Sequence, residues 1–225
     1  MPARNSRKEY VGNAYYHAYN RGVEKRKIFL DKQDYAVFLS YLKEYLLPKD
    51  TEGLHKQLAS PNLSGKERDS ILKALQRNNF ADEITLLAYC LMPNHFHFFI
   101  KQNSANAIDV FMNSLGTRYT MYFNKKYDRV GSLYQDVYKA ASVRSELYFL
   151  HLSRYIHKQA LAFQGDALEK YPCSYFDYVG KRKTAWVKPE EVLSYFSQEN
   201  PSLSYEVFVR QEDDVLPQRL IFEPC

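Results

Sequence analysis

Two histidines separated by one residue are candidate metal ligands. In His95-Phe96-His97, residues two apart on a β-strand point to the same sheet face, so both imidazoles would project together while Phe96 faces the other side. Imidazole is a common metal ligand, and two on one face can share an ion. The alternative is that one or both histidines simply pack within the sheet. A zinc hydrolase site is a weaker interpretation, because no Asp or further His follows closely to complete the ligand set.

Tyr155 and Gln159 form a second candidate group. Residues four apart on a helix are neighbours, so the phenol and the amide would lie side by side. They share a stripe with Tyr148 and Leu152, beside the apolar stripe of Phe149, Ile156, Ala160 and Phe163. From the residues alone, Tyr155 is one of 20 tyrosines and is interpreted as a residue at the edge of the core. His157 lies on a different helical face and is not assigned as a base for Tyr155.

Basic side chains are candidates for contacting a phosphate backbone. The formal net charge of +5 and the pI of about 8.9 favour polyanionic partners, although an ordinary basic protein has the same balance. Tyrosine can stack on unpaired bases, so tyrosines among basic residues fit single-strand binding, but a tyrosine-rich core would look the same. The candidate DNA-binding residues are Arg21, Arg118, Lys125, Lys126, Arg129 and Lys139. Each of them alone is typical of a solvated face.

Hydrophobic periodicity predicts the elements that position these residues. Strands are predicted over 14–19, 84–91, 95–101 and 137–143, and helices over 34–45, 105–123 and from Ser142 or Ser145 to about Phe163. Pro93, in the Met92-Pro93-Asn94 link, cannot donate to a sheet ladder and suits a turn. The order strand, helix, strand, strand, helix, strand, helix predicts an α+β fold, most simply a ferredoxin-like antiparallel sheet with helices packed on it.

Two further segments flank this pattern. Residues 49–82 are polar and predict an insert with one surface helix, which a capping box at Ser64 and Glu67 begins. We expect one domain over 11–180 and a C-terminal extension over 181–225, with a short helix from Pro189 and an acidic end at Glu212-Asp213-Asp214. The three cysteines show no paired spacing, and residues 1–8 show no secretory signal. A cytoplasmic protein without a membrane span is expected.

Several motifs along the chain together resemble the single-tyrosine transposases of the IS200/IS605 type, and more closely the transposases associated with repetitive extragenic palindromes (REP). The match covers about residues 11 to 180, and the pairing of Met-Pro-Asn-His-hydrophobic-His with Arg-Tyr-Ile is its most specific part. The matching segments are Tyr16-His-Ala-Tyr-Asn-Arg-Gly22, Ile28-Phe29, Asp34, Leu91-Met-Pro-Asn-His-Phe-His97, Ser114-Leu-Gly-Thr-Arg-Tyr119, Tyr122-Phe-Asn124, Gly131-Ser-Leu-Tyr134, Arg154-Tyr-Ile156, Tyr171-Pro-Cys-Ser174 and Tyr178.

The resemblance implies a metal pair at His95 and His97, a nucleophile at Tyr155 and a third metal ligand at Gln159. It also implies Mg²⁺ or Mn²⁺ as cofactor, and a single-stranded DNA substrate beside a hairpin. The reaction would be cleavage and rejoining through a covalent 5′-phosphotyrosine. Relatives often carry Asn-Pro-Val where Gln159-Ala-Leu161 stands, and Trp where Cys173 stands. Relatives act as monomers or homodimers, so both states stay open.

Two other classes of function compete with this hypothesis. A non-catalytic single-stranded nucleic-acid-binding protein on the same scaffold would need the aromatic and basic residues, but not His95, His97, Tyr155 and Gln159 together. A small metal-dependent hydrolase would use water as its nucleophile and form no covalent intermediate.

Overall fold

The computed structural model describes residues 10–161 and 171–211. Its four strands are β1 (Ala14–Arg21), β2 (Ile84–Met92), β3 (His95–Gln102) and β4 (Lys139–Val143). They form one sheet in the order β2-β3-β1-β4, and every neighbouring pair is antiparallel. With helices between β1 and β2 and between β3 and β4, this topology is ferredoxin-like, which confirms the predicted fold class.

Helices cover both faces of the sheet. The long helices α1 (Lys32–Leu46) and α4 (Ala107–Lys126) pack on one face, and α5 (Glu146–Leu161) packs on the other. Alternation along the strands divides the core accordingly. Phe96, Phe98 and Ile100 face α1 and α4, whereas Phe99 faces α5.

A buried carboxylate fixes the start of α1. Asp31 and Asp34 form a capping box, so the helix begins at Lys32, before the predicted start at residue 34. Asp34 is fully buried, and its carboxylate accepts hydrogen bonds from the Leu30 amide and from the hydroxyls of Tyr122 and Tyr127. Burying a charge is costly unless it is paired, and the Lys126 ammonium lies 2.8 Å from this carboxylate. The network ties α1 to the end of α4.

The polar insert holds two helices rather than the one that the sequence predicts. The capping box at Ser64 and Glu67 is present at the start of α3 (Gly65–Gln76). The unpredicted helix, α2 (Thr51–Leu58), is capped by Asp50 and has no buried residue. It was missed because it has no apolar stripe facing a core, which is the pattern that periodicity detects.

After α5, three short helices pack on the same face of the sheet as α5, whereas Trp186 and Val187 join the core on the opposite face. The short helices are α6 (Tyr175–Tyr178), α7 (Glu190–Leu193) and α8 (Tyr205–Arg210), of which α7 corresponds to the helix predicted from Pro189. Val192, Tyr205 and Val209 are buried in the core below α5. Phe163 and the acidic segment 212–214 lie outside the described residues. Within the described ranges, no helix has the length and apolarity to cross a membrane.

A buried histidine joins α5 to the C-terminal segment. The two ring nitrogens of His157 lie 2.7 Å from the Tyr205 hydroxyl and 2.7 Å from the Ser174 hydroxyl. Ser174 Oγ in turn accepts a hydrogen bond from the Tyr89 amide of β2. Burial, together with the charge of Arg182, lowers the pKa of His157 from 6.5 to about 3. This histidine is therefore neutral at neutral pH and satisfied at both nitrogens.

Acid should destabilise the fold through His157. Between its unfolded pKa of 6.5 and its folded pKa of about 3, the unfolded chain binds the extra proton, so stability falls as pH falls through this range. We expect His157→Gln to reduce the slope of unfolding free energy against pH by about 1.4 kcal/mol per pH unit between pH 4 and 6. Urea unfolding at several pH values measures that slope. His55→Gln, at an exposed position of α2, is the control and should keep the wild-type slope. Equal slopes in wild type and His157→Gln would refute the lowered pKa of His157.

Candidate functional site

The two predicted metal ligands lie side by side under α5. His95 and His97 occupy alternate positions at the start of β3, and their ring centroids are 5.0 Å apart. Both side chains are buried, at 5% and 2% exposure. Phe96 between them points into the opposite core, as the strand alternation predicts. The structure therefore brings the histidine pair together on one face.

The turn before β3 is held by hydrogen bonds to the loop after β1. The Asn94 carbonyl accepts from the Gly22 amide at 2.9 Å, and the Pro93 carbonyl accepts from the amides of Ile28 and Phe29 at 2.7 and 3.0 Å. Gly22 must be a glycine, because a Cβ there would lie 2.2 Å from the Arg26 carbonyl oxygen. The loop consequently lies flat against the turn that carries His95.

Asn94 also determines which nitrogen of His95 carries the proton. The Asn94 side chain donates through Nδ2 to the Lys25 carbonyl, so its Oδ1 faces His95 Nδ1 at 2.7 Å. An amide oxygen only accepts, and the His95 Nδ1 must therefore carry the hydrogen. The lone pair of neutral His95 is left on Nε2.

A third histidine, which the sequence interpretation missed, contacts the pair. His17 on β1 is buried, and its Nε2 lies 2.8 Å from His97 Nδ1. The signal for it was present, because alternation along β1 places His17, Tyr19 and Arg21 on one face. What the sequence lacked was the pairing of β1 with β3, which sets Tyr19 opposite His97 and Arg21 opposite His95.

Burial keeps the three imidazoles neutral. It is the main cause that lowers the pKa of His17 to about 3 and the pKa of His95 to about 4. Arg21 lowers the pKa of His95 further, whereas the interaction with the Gln159 side chain raises it. The pKa of His97 is well below 6.5, first because of burial and then because of His17 and His95. Neutral imidazole is the form that binds metals.

The predicted nucleophile lies directly over the histidines. Tyr155 on α5 is half-buried, and its ring centroid is 5.5 Å from that of His97 and 5.8 Å from that of His17, edge to face in both cases. Gln159 lies one turn later, where its side chain interacts with His95. The structure thus gathers His95, His97, Tyr155 and Gln159 into one cluster. His157 points away from it, into the core, as its helical position predicts.

The donor atoms of this cluster fit a divalent ion. The Nε2 atoms of His95 and His97 are buried and have no hydrogen-bond partner of normal geometry. Buried polar atoms are normally paired, so two neighbouring imidazole nitrogens without such a partner suit coordination of a cation. The Gln159 amide offers an oxygen as a third donor. Within residues 10–161 and 171–211, no group of three or more His, Cys, Asp or Glu is placed to hold a metal. The set of His95, His97 and Gln159 contains only two residues of these types, so it lies outside that definition.

Two of the six predicted DNA-binding residues lie at the site. Arg21 ends β1 beside His95, and its Nε is buried without a hydrogen-bond partner. Lys139 begins β4, with its ammonium 6.0 Å from the centre of the Tyr19 ring. Tyr19 in turn lies 5.6 Å from His97, ring centre to ring centre. This edge of the site is therefore cationic and aromatic.

The other four predicted DNA-binding residues lie on or after α4, across the sheet from the histidines. Arg118 pairs with Glu44 at 2.8 Å, Lys126 pairs with Asp31 and Asp34, and Arg129 donates to Asn124. Lys125 is exposed on α4. The structure does not bring these residues to the cluster, so their role in DNA binding stays a separate prediction.

Comparisons with known proteins find a similar family and a similar fold. The family model described as IS200-like transposase matches residues 60–159, which include both histidines of β3, Tyr155 and Gln159. The solved structure of a REP-associated tyrosine transposase bound to a REP hairpin has a TM-score of 0.50 at 9% identity, covering 82% of this chain and 96% of that chain. At such low identity, the likeness shows a shared fold.

A second solved structure, a putative transposase from Deinococcus radiodurans R1, is 17% identical and covers 69% of this chain and 97% of that chain. Its TM-score of 0.29 carries no structural argument. No curated protein matches the chain. The family match and the shared fold support the resemblance that the motifs indicate: residues 60–159 are similar to IS200-like transposases.

Proposed function

We propose that this protein cleaves and rejoins single-stranded DNA through a covalent bond between Tyr155 and a 5′ phosphate, with a divalent metal as cofactor. The observation that carries the proposal is the position of the Tyr155 ring over His97, beside two buried imidazole nitrogens that have no hydrogen-bond partner of normal geometry. A phenol, a cation site and a cationic strand edge are what phosphoryl transfer to tyrosine requires.

The reaction would proceed by in-line displacement at phosphorus. The Tyr155 oxygen attacks and forms a bond to phosphorus, the bond from phosphorus to the 3′ oxygen breaks, and the phenolic proton is released while the 3′ oxygen takes one up. The products are a 5′-phosphotyrosine and a free 3′-hydroxyl. Attack by a 3′-hydroxyl on the phosphotyrosine reverses these bond changes and joins a strand. Energy stored in the covalent bond makes ATP unnecessary.

His95, His97 and Gln159 are the residues that would hold the metal. A bound divalent ion supplies Lewis-acid stabilisation of charge on the non-bridging phosphate oxygens. Two imidazole ligands suit Mn²⁺ better than Mg²⁺, which prefers oxygen ligands. The two histidines lie on β3, which is buried along most of its length and so holds them in a fixed position.

Arg21 and Lys139 are the residues placed to bind the DNA backbone next to the reacting phosphate. A buried guanidinium nitrogen without a partner is available for an anion, and Arg binds phosphate in a fixed geometry. We propose a substrate that is unpaired at the cleavage point and flanked by a hairpin, because a similar fold occurs in the REP-associated transposase bound to a REP hairpin. Attack at an unpaired junction avoids melting a duplex.

If Tyr155 is the nucleophile, removing its hydroxyl should remove strand cleavage. Tyr155→Phe should abolish both strand cleavage and the covalent adduct while leaving DNA binding largely intact, because only the attacking oxygen is removed. The assay incubates labelled single-stranded hairpin DNA with protein and Mn²⁺, and separates the products on a denaturing gel. Tyr148→Phe is the matched control, since Tyr148 lies on the same helix and its hydroxyl has no hydrogen-bond partner.

The same gel separates the three classes of function. Cleavage without an adduct would identify a hydrolase with a water nucleophile. Neither cleavage nor an adduct would identify a binding protein. An adduct that persists in Tyr155→Phe would show that Tyr155 is not the nucleophile.

The metal assignment is tested by binding and by activity. Titration calorimetry should detect Mn²⁺ binding to wild-type protein, and the double variant His95→Ala, His97→Ala should lose it together with cleavage, because two of three protein ligands are gone. His55→Ala, on exposed α2, should bind like wild type. Full cleavage activity in excess chelator would remove the metal from the mechanism.

A further inference from the structure

We propose that His17 is a positioning residue that fixes the tautomer of His97. In this arrangement, the Nδ1–H of His97 donates to His17 Nε2, and the His97 Nε2 lone pair is left facing the cation site. The proposal deepens the proposed function and rests on it for the identity of the ligand. The observation that carries it is the contact of 2.8 Å between His17 Nε2 and His97 Nδ1.

The two predicted ligands have matching surroundings. His95 Nδ1 is hydrogen-bonded to Asn94 Oδ1 at 2.7 Å, and its Nε2 has no hydrogen-bond partner of normal geometry. His97 Nδ1 is hydrogen-bonded to His17 at 2.8 Å, and its Nε2 likewise lacks a partner. Metal-binding histidines usually donate their second ring N–H to a neighbouring acceptor, which fixes tautomer and ring orientation. His17 is therefore the hydrogen-bond partner of His97 Nδ1, as Asn94 is the partner of His95 Nδ1.

The tautomer decides whether His97 can bind a cation. A neutral imidazole carries one N–H, and only the other nitrogen has an available lone pair. If His17 donated to His97 Nδ1 instead, the His97 proton would sit on Nε2, with the N–H directed into the cation site. With its hydrogen on Nε2, His97 could not coordinate a cation through that nitrogen. A cation at the site and the hydrogen bond to His17 favour the same tautomer.

His17 also has a packing role that any test must separate from its hydrogen bond. Its ring stacks on His97, with centroids 5.0 Å apart, and meets the Tyr155 ring edge to face. His17 is fully buried in the sheet, so an apolar replacement changes both shape and polarity. His17→Gln keeps an oxygen acceptor near the place of Nε2, whereas His17→Leu removes the acceptor and keeps the bulk.

The direct test is the tautomer of His97 in metal-free protein. Long-range proton–nitrogen correlation spectra of ¹⁵N-histidine-labelled protein distinguish Nδ1–H from Nε2–H. We expect the Nδ1–H form in wild type and in His17→Gln. Finding His97 as the Nε2–H tautomer in wild type would overturn the proposal. This readout needs neither metal nor activity, so it stands even if the proposed function fails.

Mn²⁺ titration supplies the second arm. His17→Leu should bind Mn²⁺ about 10–100-fold more weakly than wild type, as expected when the hydrogen-bond partner of a metal ligand is lost, while His17→Gln should bind nearly as tightly as wild type. Circular dichroism and thermal melting establish whether each variant is folded. If His17→Leu does not fold, the tautomer of His97 in the proton–nitrogen spectra of wild type and His17→Gln decides the proposal.

The outcomes separate the two proposals. Absence of Mn²⁺ binding in wild type would contradict the proposed metal, and the tautomer spectrum would still decide the role of His17. Tight Mn²⁺ binding in folded His17→Leu would contradict the role of His17 and leave the metal in place.

Discussion

The turn between β2 and β3 is the constraint on which the candidate site depends. Its carbonyls at Pro93 and Asn94 accept three amide hydrogen bonds from the loop after β1, and the Asn94 side chain bridges the Lys25 carbonyl and His95. The loop is supported from beneath by Tyr119 of α4, whose hydroxyl donates to the Ile28 carbonyl at 2.6 Å. Motifs far apart in the sequence therefore meet at one turn, where they fix the first predicted ligand of the metal.

Burial gives the site its chemical character. Desolvation keeps His17, His95 and His97 neutral, so their nitrogens can serve as hydrogen-bond acceptors or as ligands. An unpaired buried polar group costs about 1–3 kcal/mol, and two such nitrogens lie together here. In the proposed function, a cation bound beside the half-buried Tyr155 would offset this cost.

Local patterns predicted much of this arrangement, and non-local contacts account for what they missed. Alternation along β3 placed His95 and His97 on one face, and helical spacing placed Tyr155 beside Gln159. His17 was missed as a partner of His97 because its role depends on the register of β1 against β3, which local spacing does not specify. Likewise, the basic residues of α4 and β4 look equivalent in the sequence, but the sheet separates Arg118 and Lys126 from Lys139.

The central claim is that one tyrosine among 20 carries the DNA. The most direct measurement digests the adduct formed with single-stranded hairpin DNA using protease and nuclease, then maps the modified peptide by tandem mass spectrometry. The account predicts a 5′-phosphonucleotide attached to Tyr155, in the peptide that holds the cluster over His97. A nucleotide attached to any other residue, Tyr19 and Tyr148 included, would contradict it.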